Sequence, residues 1–122
     1  MSDAIPDSGR DAEVRQQLES CARNSSRRVV YAPGTGPPCD WRPHRVINPE
    51  VDLPFSDASA WRLVADLLAQ GHPIDTVELS TPKGKTGYVL KTRLGDNEPE
   101  IYIKLQLGAS KVIGRSFHYS EH

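Results

Sequence analysis

The last twelve residues, KVIGRSFHYSEH, set Arg115, Ser116, His118 and Tyr119 around a single Phe117, and the run IYIKLQL just before them carries Tyr102 and Lys104 two positions apart. Residues two apart on a strand face the same way, so Tyr102, Lys104 and Gln106 share one side while Ile101, Ile103, Leu105 and Leu107 share the other. The polar groups gathered here are a phenol, an ammonium, a guanidinium, a hydroxyl and an imidazole. They can neutralise negative charge and move protons.

What is missing bounds the chemistry further. The nearest acids, Glu98, Glu100 and Glu121, fall at strand ends, which argues against a two-carboxylate hydrolase or a carboxylate metal site. His72, His118 and His122 have no ligand spacing, and Cys39 with His44 in a proline-rich stretch is a weak pair, so neither metal nor cofactor is expected. PKGKTG lacks the GxxxxGK[ST] spacing of a phosphate loop. A polyanion fits better. Between 81 and 93 stand Lys83, Lys85, Lys91 and Arg93 with no acid among them, and with Lys104 and Arg115 these can neutralise phosphates. Tyr88, Tyr102 and His118 can stack on unpaired bases, and Ser116 can hydrogen-bond. Metal-free RNA cleavage needs one group to take a proton from the 2′-hydroxyl, cations for the charge on phosphorus, and an acid for the leaving oxygen. His118, Arg115, Lys104 and Tyr102 form the working set.

The elements that must hold these residues follow from the periodicities. ASAWRLVADLLAQ places Ala60, Trp61, Val64, Leu67 and Leu68 on one helical face, with Ser56 or Asp57 as N-cap and Gly71 and Pro73 as stop signals. Beyond it the period falls to two, with strands expected at Asp75 to Leu79, Tyr88 to Leu94, Ile101 to Leu107 and 111 to 119, separated by turns at PKGKTG, GDNEP and GAS. The expected fold is α+β, a helix packed on a three- to four-stranded antiparallel sheet whose far face is open. On the last strand Ile113 and Phe117 are expected in the core, with Ser116 and His118 on the open face. Gly114 signals a bulge that would turn Arg115 to the open face as well.

Residues 1–56 read as a tail, a helix over 11–23 with a thin stripe of Val14, Leu18 and Cys21 (Asp7 or Ser8 as caps), and an irregular proline-rich arm anchored by Trp41, Ile47, Leu53 and Phe55. Short extended pieces are expected at Arg28 to Tyr31 and at Val46 to Ile47. Residues 57–122 read as the compact domain. The net charge of −1 gives no general drive toward nucleic acid or membrane, and no window approaches a membrane span. With no leader pattern and two cysteines expected as free thiols, the expected compartment is the cytoplasm.

From the 57–71 helix through IYIKLQL and KVIGRSFHYS, over roughly residues 57 to 120, the chain resembles the C-terminal half of the MqsR-type toxins of bacterial toxin–antitoxin pairs. More broadly it is similar to the RelE/barnase/EndoU-like ribonuclease fold. Tyr102 with Lys104 matches a stretch where such toxins carry a functional Tyr, and the basic residues at 83 to 93 fall where they carry a functional Lys. Arg115, Ser116 and His118 depart from the MqsR pattern and look more like other branches of the fold. The resemblance implies an mRNA-cleaving toxin that needs no metal and is held inactive by a cognate antitoxin. The alternatives are a non-catalytic RNA- or protein-binding module, and an antitoxin- or immunity-type partner that works through its N-terminal helix and arm.

Overall fold

The computed structural model describes residues 4–120, with side chains from residue 11 onward, so Glu121 and His122 lie outside the described residues. The strongest periodicity becomes helix α2, Asp57–Ala69, and the expected apolar stripe is buried. Its N-terminus is closed reciprocally: the Ser56 hydroxyl accepts from the Ser59 N–H at 3.0 Å, and the Ser59 hydroxyl accepts from the Ser56 N–H at 2.9 Å. Both donors would otherwise be orphaned at a helix start. At the other end Gly71 adopts φ +80°. The His72 N–H then donates to the Leu67 carbonyl and the Gly71 N–H to that of Leu68, a closure that needs the left-handed conformation glycine reaches without steric cost.

Helix α1 runs Ala4–Ala22, starting earlier than the periodicity indicated. Its thin stripe is well used, because Leu18, Cys21 and Ala22 are buried in the main core with α2, and Arg15 donates from Nη1 to the Leu68 carbonyl at 3.1 Å. Cys21 and Cys39 are free thiols.

Four strands form an antiparallel meander: β5 (Asp75–Ser80), β6 (Lys83–Thr92), β7 (Ile101–Gly108) and β8 (Lys111–Tyr119). PKGKTG is not the expected turn. Lys83 to Gly87 belong to β6, and Gly87 is the floor beneath two side chains of β5, where an added Cβ would come 2.9 Å from Leu79 Cδ2. The glycine that looked like a turn residue is there because β5 packs down onto it.

The sheet has six strands with mixed pairing, not three or four antiparallel ones. The arm supplies the extra two. Strands β1 (Arg28–Val29) and β2 (Asp40–Trp41) both run parallel to β8, pairing with Val112–Ile113 and Ser116–Phe117 respectively. They are two pieces of one interrupted edge, and the chain between them leaves the edge and returns. Extended chain is expected at Arg28 to Tyr31, where β1 lies, but two-residue strands inside a proline- and glycine-rich segment are too short to show a period, so their pairing with β8, and β2 altogether, are not legible from sequence. A short hairpin, β3 (Ile47–Asn48) with β4 (Leu53–Pro54), follows a 3-10 turn at Pro43–Arg45.

Ile101, Ile103 and Leu105 of β7 face the helices, and the core closes through aromatics from three segments. Trp41 of β2 stacks on Trp61 of α2 with centroids 4.6 Å apart, and meets Phe117 of β8 at 5.3 Å. Phe55 packs edge-on to Phe117 at 5.6 Å. Such pairs contribute about 0.5–1.5 kcal/mol each beyond their burial. Of the four expected anchors, Trp41 and Phe55 serve; Ile47 and Leu53, on the short β3–β4 hairpin, are exposed, Leu53 by 61%.

Gly114 makes room for the indole. A Cβ at this position would sit 2.7 Å from Trp41 Cε3 and 2.8 Å from Cζ3. Gly114→Ala is therefore expected to lower stability by about 1–3 kcal/mol through overpacking. Urea unfolding would measure it. Combined with Trp41→Leu, the loss should fall clearly short of the sum of the two single losses, since both act on the same contact.

Candidate functional site

The register of β7 on β8 decides which polar groups meet. Tyr102 lies opposite His118 and Lys104 opposite Ser116, but Leu105 lies opposite Gly114, leaving Arg115 as the extra residue of a bulge. Two consequences follow. Ser116 and His118 share the face of Tyr102 and Lys104, as the alternation of the strand indicated. Ile113 shares it too, opposite Gln106, so it is not in the main core as expected; it is buried apart from that cluster. The bulge moves everything before Arg115 by one position, which exchanges the two faces.

Arg115 does turn to this face, yet it is not free there. It is only 5% exposed. Its Nε donates to the Pro38 carbonyl at 2.9 Å, Nη1 to Gln106 Oε1 at 2.7 Å and Nη2 to the Thr81 carbonyl at 2.8 Å. These partners come from the arm, from β7 and from the tip of the β5–β6 hairpin. The guanidinium is a tie, spent on three protein oxygens, and is not held out to a phosphate as the sequence suggested. Ser116 is buried as well, with Asp40 opposite it on the other side of β8.

What remains open is the far half of the face. Lys91, Tyr102 and His118 form one row across β6, β7 and β8. Lys104 sits in the next row; no hydrogen bond or ion pair of its ammonium is found among the described residues. The Tyr102 and His118 rings are stacked, centroids 5.5 Å apart and 18° between planes. His118 is held by its own strand: Nδ1 lies 2.8 Å from the Tyr119 carbonyl. A carbonyl only accepts, so Nδ1 carries the proton and Nε2 is the nitrogen with the free lone pair.

Nε2 faces a residue that no pattern in the C-terminal half contains. Asp40 Oδ2 stands 3.4 Å away, and Oδ1 of the same carboxylate pairs with Arg42 Nε. All three side chains remain partly open to solvent, His118 by 27% and the two arm residues by about half. The expectation that this face lacks a carboxylate is overturned. The acid arrives on β2, through a parallel pairing between residues more than seventy positions apart, and local sequence holds no signal for it.

Other expected binding residues are dispersed. Tyr88 points to the helix side, packing on the core and lining a cavity of about 450 Å³ with Val14, Arg15 and Ile74. Lys83 and Lys85 are exposed near the hairpin tip, the end that folds toward Arg115. Arg93 is exposed and donates from Nη1 to the Glu98 carbonyl at 2.9 Å, bracing the β6–β7 loop. A larger cavity of about 630 Å³, lined by Glu13, Gln16, Ser20 and Arg27 among others, also lies along α1. The Tyr102–His118 row is thus a surface patch, a shape suited to an extended chain more than to an enclosed small molecule. Among the described residues no helix is long and apolar enough to cross a membrane.

Arg115→Met should cost about 2–4 kcal/mol, because three oxygens lose a charged donor in a covered place. The urea midpoint is expected to fall accordingly. An unchanged midpoint would mean the guanidinium is not a structural tie and is free to meet a ligand.

A scan against protein-family models and searches of curated proteins and of solved structures return no match. The functional reading therefore rests on the chemistry of the patch and on the sequence resemblance.

Proposed function

We propose that the patch around His118 binds and cuts single-stranded RNA without a metal ion, and that the protein acts as the toxin of a toxin–antitoxin pair, degrading mRNA until a cognate antitoxin covers it. The observation that carries the reading is the fixed His118 ring, with Nδ1–H spent on the Tyr119 carbonyl and Nε2 exposed beside a carboxylate. That tautomer makes Nε2 a base. It takes the proton of a 2′-hydroxyl as the 2′-oxygen bonds to phosphorus.

The bond from phosphorus to the 5′-oxygen breaks, leaving a 2′,3′-cyclic phosphate. The departing oxygen takes the phenolic proton of Tyr102, the ring stacked on His118. Lys91, beside Tyr102 in its row, and Lys104, in the next row, offset the negative charge of the phosphate. The toxin role and the antitoxin partner rest on the resemblance of residues 57 to 120 to that family, and the patch adds a chemistry consistent with it.

Purified protein incubated with single-stranded RNA in EDTA tests the reaction directly. Cleavage to cyclic-phosphate ends is expected, and His118→Ala should slow it by about 10²–10⁴-fold, the usual contribution of a positioned acid or base. Induced expression should halt growth, with His118→Ala restoring it. RNA that is retained but left intact, with affinity falling steeply as salt rises, would replace this reading with that of a binding module.

A further inference from the structure

Asp40 is an unusual occupant of the patch. Its two oxygens are divided between two nitrogen groups, Oδ1 on Arg42 Nε and Oδ2 toward His118 Nε2. The second contact, at 3.4 Å, is not a hydrogen bond: His118 is bonded through Nδ1 alone. The three side chains meet at the solvent edge, where an ion pair gains little and exchanges readily. A two-oxygen anion held by a guanidinium beside an imidazole presents the charge and the pair of acceptor oxygens that a phosphodiester's two non-bridging oxygens present.

We infer that Arg42 is the phosphate-binding guanidinium of this site, and that the Asp40 carboxylate fills the phosphate's place until RNA displaces it. The inference rests on the nuclease reading and extends it by naming the cation that Arg115 cannot be. Arg42 has the exposure that Arg115 lacks, and it reaches the patch because its N–H donates to the Phe117 carbonyl at 2.8 Å, beside His118. Its own backbone is thereby fixed to the strand that carries the base, while its side chain is half exposed to solvent, where one anion can replace another. The arm is then part of the site and not a cover over it. No bond is made or broken in the exchange: the phosphate takes the guanidinium and the carboxylate turns to solvent.

The two members of the pair should respond in opposite directions, which separates this role from a structural tie. Binding is read by fluorescence anisotropy with a labelled 2′-O-methyl oligonucleotide, which cannot be cut, in EDTA. Arg42→Ala should weaken binding about tenfold and reduce the slope of log affinity against log salt by about 0.7, the loss of one phosphate contact on a single strand. Asp40→Asn should tighten binding severalfold. Arg42→Lys keeps the charge without the planar fork, so it should recover much of the affinity and less of the cleavage rate on ordinary RNA.

Equal affinity and slope for Arg42→Ala and the unaltered protein would overturn the inference, as would weaker binding in Asp40→Asn. In either case, continued cutting of RNA by the unaltered protein leaves the nuclease reading standing. NMR titration with inorganic pyrophosphate separates the reverse case: shifts at Arg42 and His118 in a protein that never cuts RNA would keep the anion site and remove the nuclease.

Discussion

One guanidinium ties the irregular arm and the tip of the β5–β6 hairpin to the sheet. Arg115 donates to a carbonyl of the proline-rich arm, to an amide on the neighbouring strand and to the tip of a long hairpin. It can do so only because it is the extra residue of a bulge, pushed out of the β7–β8 ladder. A buried charge without a carboxylate is costly unless its donors are met, and here acceptors come from three separate segments. Each would otherwise present an unmet oxygen under cover. Their mutual satisfaction fixes the path of the arm over the sheet.

The same bulge divides the sheet's second face. Before it, the face is covered: Ile113, Gln106 and Arg115 are buried, and Leu79 packs over Gly87. After it, Tyr102, Lys104 and His118 stay partly open. On the helix side Gly114, next to the bulge, leaves space for the Trp41 indole, and the stack of Trp41 on Trp61 locks β2 to α2. The position of Trp41 then sets its neighbours on either side, so Asp40 and Arg42 are delivered to the rim of the open half. Core packing on one face thus places charged groups on the other.

Much of this could be read in the residues themselves. The α2 helix, its caps and its buried stripe follow from local propensity and a strong period, and the inward set of β7 follows from alternation. Tyr102 and Lys104 share a face because the period of a strand is two, and His118 joins them because the bulge at Arg115, which Gly114 signals, shifts β8 by one position. The expected site was incomplete in one respect and too generous in another. Asp40 and Arg42 were hidden because a two-residue parallel strand has no period, while Arg115, Ser116 and Tyr88 have the right chemistry but are spent on packing.

The sequence by itself determined the helix, the meander and the polar character of one sheet face, since these depend on intervals of two to four residues that any stretch of chain displays. Tertiary structure alone decided which of those polar groups remain available. Burial of Arg115 and delivery of Asp40 to His118 both depend on where a loop of the arm leaves and rejoins the edge of β8. That path is set by the fit of Trp41 over Gly114 and by hydrogen bonds spanning more than thirty residues, contacts that local spacing does not encode.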